Sequence, residues 1–416
     1  MGSVVIRNAI VVDGTGREPA AGLDVMVENG RISRIAPGGG PVTADQTVDA
    51  HGATLLPGLT DAHVHLGIVG RPPNLAGDQS LVEYVLDVRA TITATLHDGF
   101  TTVRDAGGLD PVWARLVENG RIEGPRILPS GAMITQTGGH GDFRAAHEAA
   151  HRHASIPGIT AGPEIADGAD AVRRAAREQL RRGATQIKLF VSGGVVSPTD
   201  PLESIQFSIE EIAAAVDVAR SWGTYVLVHA HTSAAMRNAV AAGARSIEHG
   251  SILDEETAAQ VARAGVFIVP TLVVLGPPPQ MRDRVPVLTP AEQRKFDLVS
   301  SASRRSVGLA REHGIQIGSG SDLIGPDQRG RAWEIVEKAR ALGAMAAIES
   351  ATRVNAELFG LSDRIGTIEA GKDADLILVR GDVLTRIETL AEPDGVPFVM
   401  RRGEIVRDDD GRSRER

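Results

Sequence analysis

The chain has 416 residues, with 44 Lys+Arg against 53 Asp+Glu, 12 His and no Cys. The missing thiol excludes disulfides, thiolate zinc sites, iron–sulfur clusters and a cysteine nucleophile, so a bound metal must use nitrogen and oxygen ligands. A formal net charge of −9 and 3% aromatic residues argue against a nucleic-acid partner.

Residues 1–55 are rich in short alternating apolar runs. Asn29-Gly30 lies between the runs 24–27 and 31–35, a type I′ hairpin signal. The opening Met1-Gly2-Ser3-Val4 lacks the basic region and long apolar core of a signal peptide. No run reaches the ~18 apolar residues of a membrane span. A cytoplasmic enzyme with no membrane partner is expected.

Residues 56–360 alternate apolar runs with amphipathic stretches, the pattern of βα units on a parallel sheet. Eight candidate strands follow in order: 59–66, 100–104, 126–130, 185–191, 225–229, 245–249, 266–272 and 315–319. Helical periodicity covers 169–182 and 209–222. The predicted fold class is α/β, a (β/α)8 TIM barrel, with a doubly wound open sheet as the alternative. Two loops, 132–167 and 273–290, are longer than usual connections, a sign of function or mobility.

Residues 361–407 return to short apolar runs between Gly, Asp and Pro. The two β-rich ends are therefore expected to form one small composite β-sandwich domain. The charged tail 408–416 is expected to be disordered.

Active sites of such barrels lie at the C-terminal strand ends. The first candidate strand carries Pro57-Gly58-Leu59-Thr60-Asp61-Ala62-His63-Val64-His65. Residues i and i+2 share a strand face, so His63 and His65 can reach one metal, or they are two surface histidines near a turn. Lys188 stands in the apolar fourth strand. It is either a neutral amine able to form a carbamate with CO2 or a lysine that snorkels at the rim. The fifth strand ends in a second pair, His229-Ala230-His231. The sixth ends in Glu248-His249-Gly250. Asp322 follows Gly318-Ser319-Gly320-Ser321, where it is either a helix cap or a ligand and proton acceptor. Taken together, these side chains make a site of nitrogen and oxygen donors for one or two divalent ions.

These residues resemble the amidohydrolase superfamily, whose pattern is His-x-His, carboxylated Lys, two His and Asp on strands 1, 4, 5, 6 and 8. The flanks Leu56–Asp61 and Gly366–Asp375 extend the resemblance over nearly the whole chain. Gln136-Thr137-Gly138-Gly139-His140-Gly141-Asp142, Lys188–Val195, Gln206-Phe207-Ser208 and Ser246–Gly250 resemble the metal-dependent prolidase and carboxypeptidase branch with its ochratoxin-amidase-like relatives. The resemblance implies a dipeptide or N-acyl amino acid substrate, two divalent ions such as Zn2+, a bridging hydroxide as nucleophile and a homo-oligomer. It implies His63, His65 and Asp322 on one ion, His229 and His249 on the other, and carboxylated Lys188 between them.

Asp322 would move the proton. His140 and His231 are expected on the substrate side, with Arg144 meeting a substrate carboxylate. Relatives often carry Tyr where this chain has His231. His147, His151 and His153 are assigned to surface, and His51, His97 and His313 to structure. Rival readings are a cyclic amide (imidazolonepropionase-like), carbamate or urea hydrolase on the same site, and a non-catalytic scaffold.

Overall fold

A computed structural model describes residues 2–40, 43–70, 80–144, 147–148, 155–197, 200–284 and 288–415. The start of the chain gives β1 (Val4–Val11), β2 (Ala20–Glu28), β3 (Arg31–Pro37), β4 (Gln46–Asp49) and β5 (Thr54–Pro57). The middle gives β6 (Leu59–Val64), β7 (Phe100–Asp105), β8 (Arg126–Pro129), β9 (Ile134–Thr135), β10 (Glu164–Ile165), β11 (Ile187–Phe190), β12 (Val226–Thr232), β13 (Ser246–Ile252) and β14 (Phe267–Val269). The end gives β15 (Leu376–Val379), β16 (Phe398–Arg401), β17 (Glu404–Asp408) and β18 (Ser413–Glu415).

The fold is mixed α/β. In the middle, β6-β7-β8 form one parallel sheet and β10-β9-β11-β12-β13-β14 another. Thr185 N donates to Pro129 O across the gap between them. The eighth candidate strand is not a regular strand. It makes a single parallel bridge, Ile268 to Ile317, yet its backbone bonds both neighbours: Gly318 N donates to Ile268 O, and Ala62 N donates to Ser319 O. Its glycines explain the irregularity. A Cβ on Gly320 would lie 2.5 Å from a Val269 methyl and 2.6 Å from His63 Cβ, so the chain must pass there without a side chain. The seventh candidate strand stops early, and its end becomes the helix Leu272–Leu275.

Helices cover the strands as their periodicity requires. Ala169–Arg182 buries Val172, Ala175, Ala176, Gln179 and Leu180, a single i, i+3, i+4 stripe, and ends at left-handed Gly183. Ile209–Ser221 starts in a Ser208/Glu211 capping box, and Pro290–Glu312 in a Thr289/Glu292 box. No helix among the described residues is long and apolar enough to cross a membrane.

Both chain ends share one sheet, in the order β17-β16-β15-β5-β1-β2-β3, with β4 also on β1. The β2–β3 turn has Asn29 at φ 51° and Gly30 at φ 78°, both left-handed as a type I′ turn needs. The two chain ends were expected to share one small composite β-sandwich domain. The ladder is continuous and branches at β1, which pairs with β4 along its first half and β5 along its second. Ile6, Val25, Leu55, Leu376 and Phe398 meet in the core that this branching encloses.

The described part of the charged tail, residues 408–415, departs from the expected disorder. β18 pairs antiparallel with β4 rather than staying disordered. Polar residues support it locally: the Asp408 carboxylate accepts from the Arg412 and Ser413 backbone N–H groups.

Gly58 joins the terminal sheet to β6, and a Cβ there would lie 2.2 Å from Thr101 Oγ1 and 2.5 Å from its Cγ2. Gly58→Ala is expected to cost about 1–3 kcal/mol through this overlap. Thermal denaturation checks it, and an unchanged melting temperature would contradict so close an approach.

Candidate active site

The parallel strands are buried on both faces, so a polar side chain on them must be partnered or must face a cavity. A cavity of about 190 Å3 opens at their C-terminal ends, lined by His63, His65, His140, Lys188, His229, His231, His249 and Asp322. Except for part-exposed Asp322, these side chains are buried.

Asp322 sits in the left-handed region at φ 55°, and its backbone N–H donates to His63 O. This turn aims the carboxylate back across β6. Asp322 Oδ1 lies 3.4 Å from His63 Nε2 and 3.2 Å from His65 Nε2, and Oδ2 lies 4.0 Å from His249 Nδ1. Burial works to raise its pKa, but His63 and His65 outweigh that and hold the carboxyl down to about 2. Asp322 is therefore ionised at neutral pH.

The imidazoles are held from behind. His63 Nδ1 is 2.7 Å from Glu248 Oε2, His65 Nδ1 is 2.8 Å from Gly107 O, and His249 Nδ1 is 2.8 Å from Thr271 Oγ1. Each contact turns Nε2 toward the cavity, where that of His65 meets Asp322; burial lowers the His65 pKa, but Asp322 outweighs this and raises it. His229 is reversed: its Nε2 is 3.2 Å from Gly193 O, which leaves Nδ1. Such outer partners fix the tautomer and orientation of metal-binding histidines. Burial pushes His63 down to about 4, with Lys188 adding to the effect, and drives His229 and His249 well below the usual range. Neutral imidazoles with free lone pairs are the form that binds a metal.

Two groups of donors converge. One ligand atom each from His63, His249 and Asp322 lie within 4.8 Å of one another, as do those of His229, His231 and His249. Lys188 makes no ion pair or hydrogen bond among the described residues and is 1% exposed. Burial lowers its pKa to about 8. The donor set thus fits hard divalent ions, with a partly neutral amine beside it.

His140 lies in the long Gly-rich loop, stacked on His229 with ring centroids 4.5 Å apart. Its Nδ1 is buried without a hydrogen bond, and its backbone N–H donates to Gln206 Oε1. A Cβ on Gly194 would strike the ring at 2.1 Å, so only glycine allows this packing.

Arg144 is not brought to the cavity. Its guanidinium grips Asp142 in bidentate fashion at 2.7 and 2.6 Å, and the described cavity lining holds no arginine. A nearby carboxylate captured the charge that had been expected for substrate. His97 and His313 lie outside the site, paired with Glu123 and Glu255. His147 is exposed, and His151 and His153 fall outside the described residues.

The Amidohydrolase family model matches residues 54–406. The chain belongs to the amidohydrolase family. This amidohydrolase is 30% identical to the ochratoxinase of Aspergillus niger over 374 residues, 85% of this chain and 75% of that protein. It is 35% identical to a prolidase crystallised with N-methylphosphonate-L-proline, with a TM-score of 0.92 over 98% of this chain and 100% of that one. A Xaa-Pro dipeptidase with bound methionine is 28% identical, with a TM-score of 0.86 over 97% and 100% of the two chains. The chain is therefore a hydrolase acting on amide bonds, in the prolidase and ochratoxinase-like branch.

The sequence reading missed the support beneath this amidohydrolase's site. Arg104 is fully buried, and its Nη2 donates to Glu248 Oε1 at 2.8 Å while Nε donates to Ala62 O at 2.6 Å. Burial raises the Glu248 pKa, but Arg104 and His63 outweigh it and hold the carboxyl down to about 2. The signal was weak: in Phe100–Asp105 only Phe100 and Val103 are apolar, so Arg104 does not stand out as Lys188 does. Arg104→Met should cost about 3–5 kcal/mol by leaving Glu248 buried and uncompensated. Adding Glu248→Gln should recover part of that cost. Chemical denaturation of the single and double variants checks it; equal losses in both would show that the pair is not the cause.

Proposed function

We propose that the protein hydrolyses the amide bond of a dipeptide or N-acyl amino acid, using two divalent ions, preferably Zn2+. The observation that carries this reading is the convergence of His63, His65, Lys188, His229, His249 and Asp322 on one cavity floor. His63, His65 and Asp322 would hold one ion and His229 and His249 the other, with Lys188 as a carbamate between them. The bonds from 316–319 to both β14 and β6 support closure of the parallel strands as a (β/α)8 barrel, with both chain ends forming a second domain. Such ions polarise a substrate carbonyl and lower the pKa of bound water toward ~7.

The residues supply the rest. Asp322, kept ionised by His63 and His65, accepts the proton of the attacking water and returns it to the leaving amine. Lys188 would reach its carbamate form because burial favours the neutral amine, whose nitrogen adds to CO2 and releases one proton to solvent. His140 presents an imidazole to the substrate oxygen from a fixed wall. Ile68, Met133, Phe143, Val274, Met281 and Phe296 make the outer cavity apolar, which seats an apolar substituent and excludes water.

The test is metal analysis of purified protein, with a screen of Xaa-Pro dipeptides and N-acyl amino acids against cyclic amides, carbamates and phenylureas. Linear amides are expected to turn over, and a preference for cyclic amides or ureas would overturn the substrate assignment. Lys188→Ala should lower metal affinity by at least the ~10–100-fold that loss of an outer partner costs, and amidase activity with it. Full metal occupancy with unchanged turnover would remove Lys188 from the site.

A further inference from the structure

β12 carries a second His-x-His pair, and its two members share one strand face. We propose that His231 is a metal ligand, a third imidazole at the ion position of His229 and His249. This rests on the metal-dependent reading above and extends it to a side chain first expected to meet substrate.

Proximity is the first support. The His231 ring centroid lies 4.7 Å from that of His229 and 4.8 Å from that of His249. One ligand nitrogen of each lies within 4.8 Å of the others.

Orientation is the second. His231 Nδ1 is 2.9 Å from Ser251 Oγ. His63, His65 and His249 are held in the same way, through Nδ1, by Glu248, Gly107 and Thr271. A hydroxyl behind Nδ1 fixes the ring and leaves Nε2 as the free donor.

The third support is that this Nε2 has no partner among the described residues, although His231 is 2% exposed and lines the cavity. With no hydrogen bond to any of them, its lone pair is left for an occupant of that cavity.

The backbone is shaped to deliver Ser251. Ala230 pairs with His249, but Thr232 pairs with Ile252, so β13 spends one extra residue over this interval. His249 at φ 72° and Gly250 at φ 56° absorb the bulge. Bulges re-aim side chains beside active sites. This one turns Ser251 behind His231, while the His231 backbone N–H donates to Ser192 Oγ at 2.9 Å. Three imidazoles hold an ion in place and still leave positions for substrate.

The experiment compares wild type, His231→Ala, His231→Gln and Ser251→Ala as full-length, metal-loaded proteins. Bound metal per chain is measured after dialysis against graded chelator, and the Co2+-substituted forms are compared by absorption spectrum. His231→Ala is expected to weaken one metal equivalent by at least ~10–100-fold and to leave the other unchanged. Ser251→Ala, which touches no ion, should weaken the same equivalent by roughly tenfold and alter the Co2+ spectrum. Wild-type affinity for both equivalents in the His231 variants, with only KM raised, would overturn the proposal and return His231 to the substrate side. A wild type that binds no stoichiometric metal would instead overturn the metal-dependent reading itself, so the two failures are distinct.

Discussion

Everything in the site depends on burying many nitrogen bases around very few anions. His63, His65, His140, Lys188, His229, His231 and His249 face one cavity whose described lining holds only two carboxylates, Asp322 among the imidazoles and Asp327. Had these groups all been charged, their mutual repulsion and desolvation would exceed what so few carboxylates can offset. Burial resolves the conflict by keeping most of the imidazoles neutral, and the amine is drawn toward neutrality as well. The result is a concentration of lone pairs with few protons, which is the complement of a cation.

That chemistry needs rigid support, and the support lies below the cavity. Glu248 is ionised and buried, so it requires Arg104, and Arg104 in turn is positioned by Ala62 O and Ser246 Oγ. The same carboxylate reaches His63 with its other oxygen. One buried ion pair therefore ties β6, β7 and β13 together and also sets the direction of one imidazole. Stability and function share these residues, so the polar interior is tolerated where an apolar one would pack more cheaply.

The strand-borne donors were legible in the sequence because each violates its surroundings. A His-x-His pair or a Lys inside an apolar run is a local anomaly, and local anomalies survive without coordinates. The hairpin at Asn29-Gly30 was legible for the same reason, since a turn of two residues carries its own backbone requirement. What could not be found was anything defined by partners far apart in sequence. Arg104 carried no such mark, because its partner Glu248 lies on another strand far along the chain. Ser413–Glu415 looked like solvated tail until β4 supplied an edge to pair with. Ser251 and Thr271 carry no signal at all, because a hydroxyl gains meaning only when an imidazole lies within hydrogen-bond reach.

The division between strands and loops also separates chemistry from selectivity. The histidine and lysine donors of the floor sit on or directly after strands, whose register fixes them, while Asp322 is fixed by its backbone bond to His63 O. The outer wall comes from the two long segments, through Met133, His140 and Phe143 on one side and Val274, Met281 and Leu288 on the other. Those side chains are apolar apart from His140, and no guanidinium stands among the described lining residues. Discrimination between substrates must then come mainly from shape and apolar burial, at roughly 25 cal/mol per Å2 of surface removed from water, rather than from charge pairing at the rim. A loop substitution that changes this wall can alter which amide enters while leaving the donors beneath it in place, because no backbone hydrogen bond of β6, β11, β12 or β13 depends on those wall side chains.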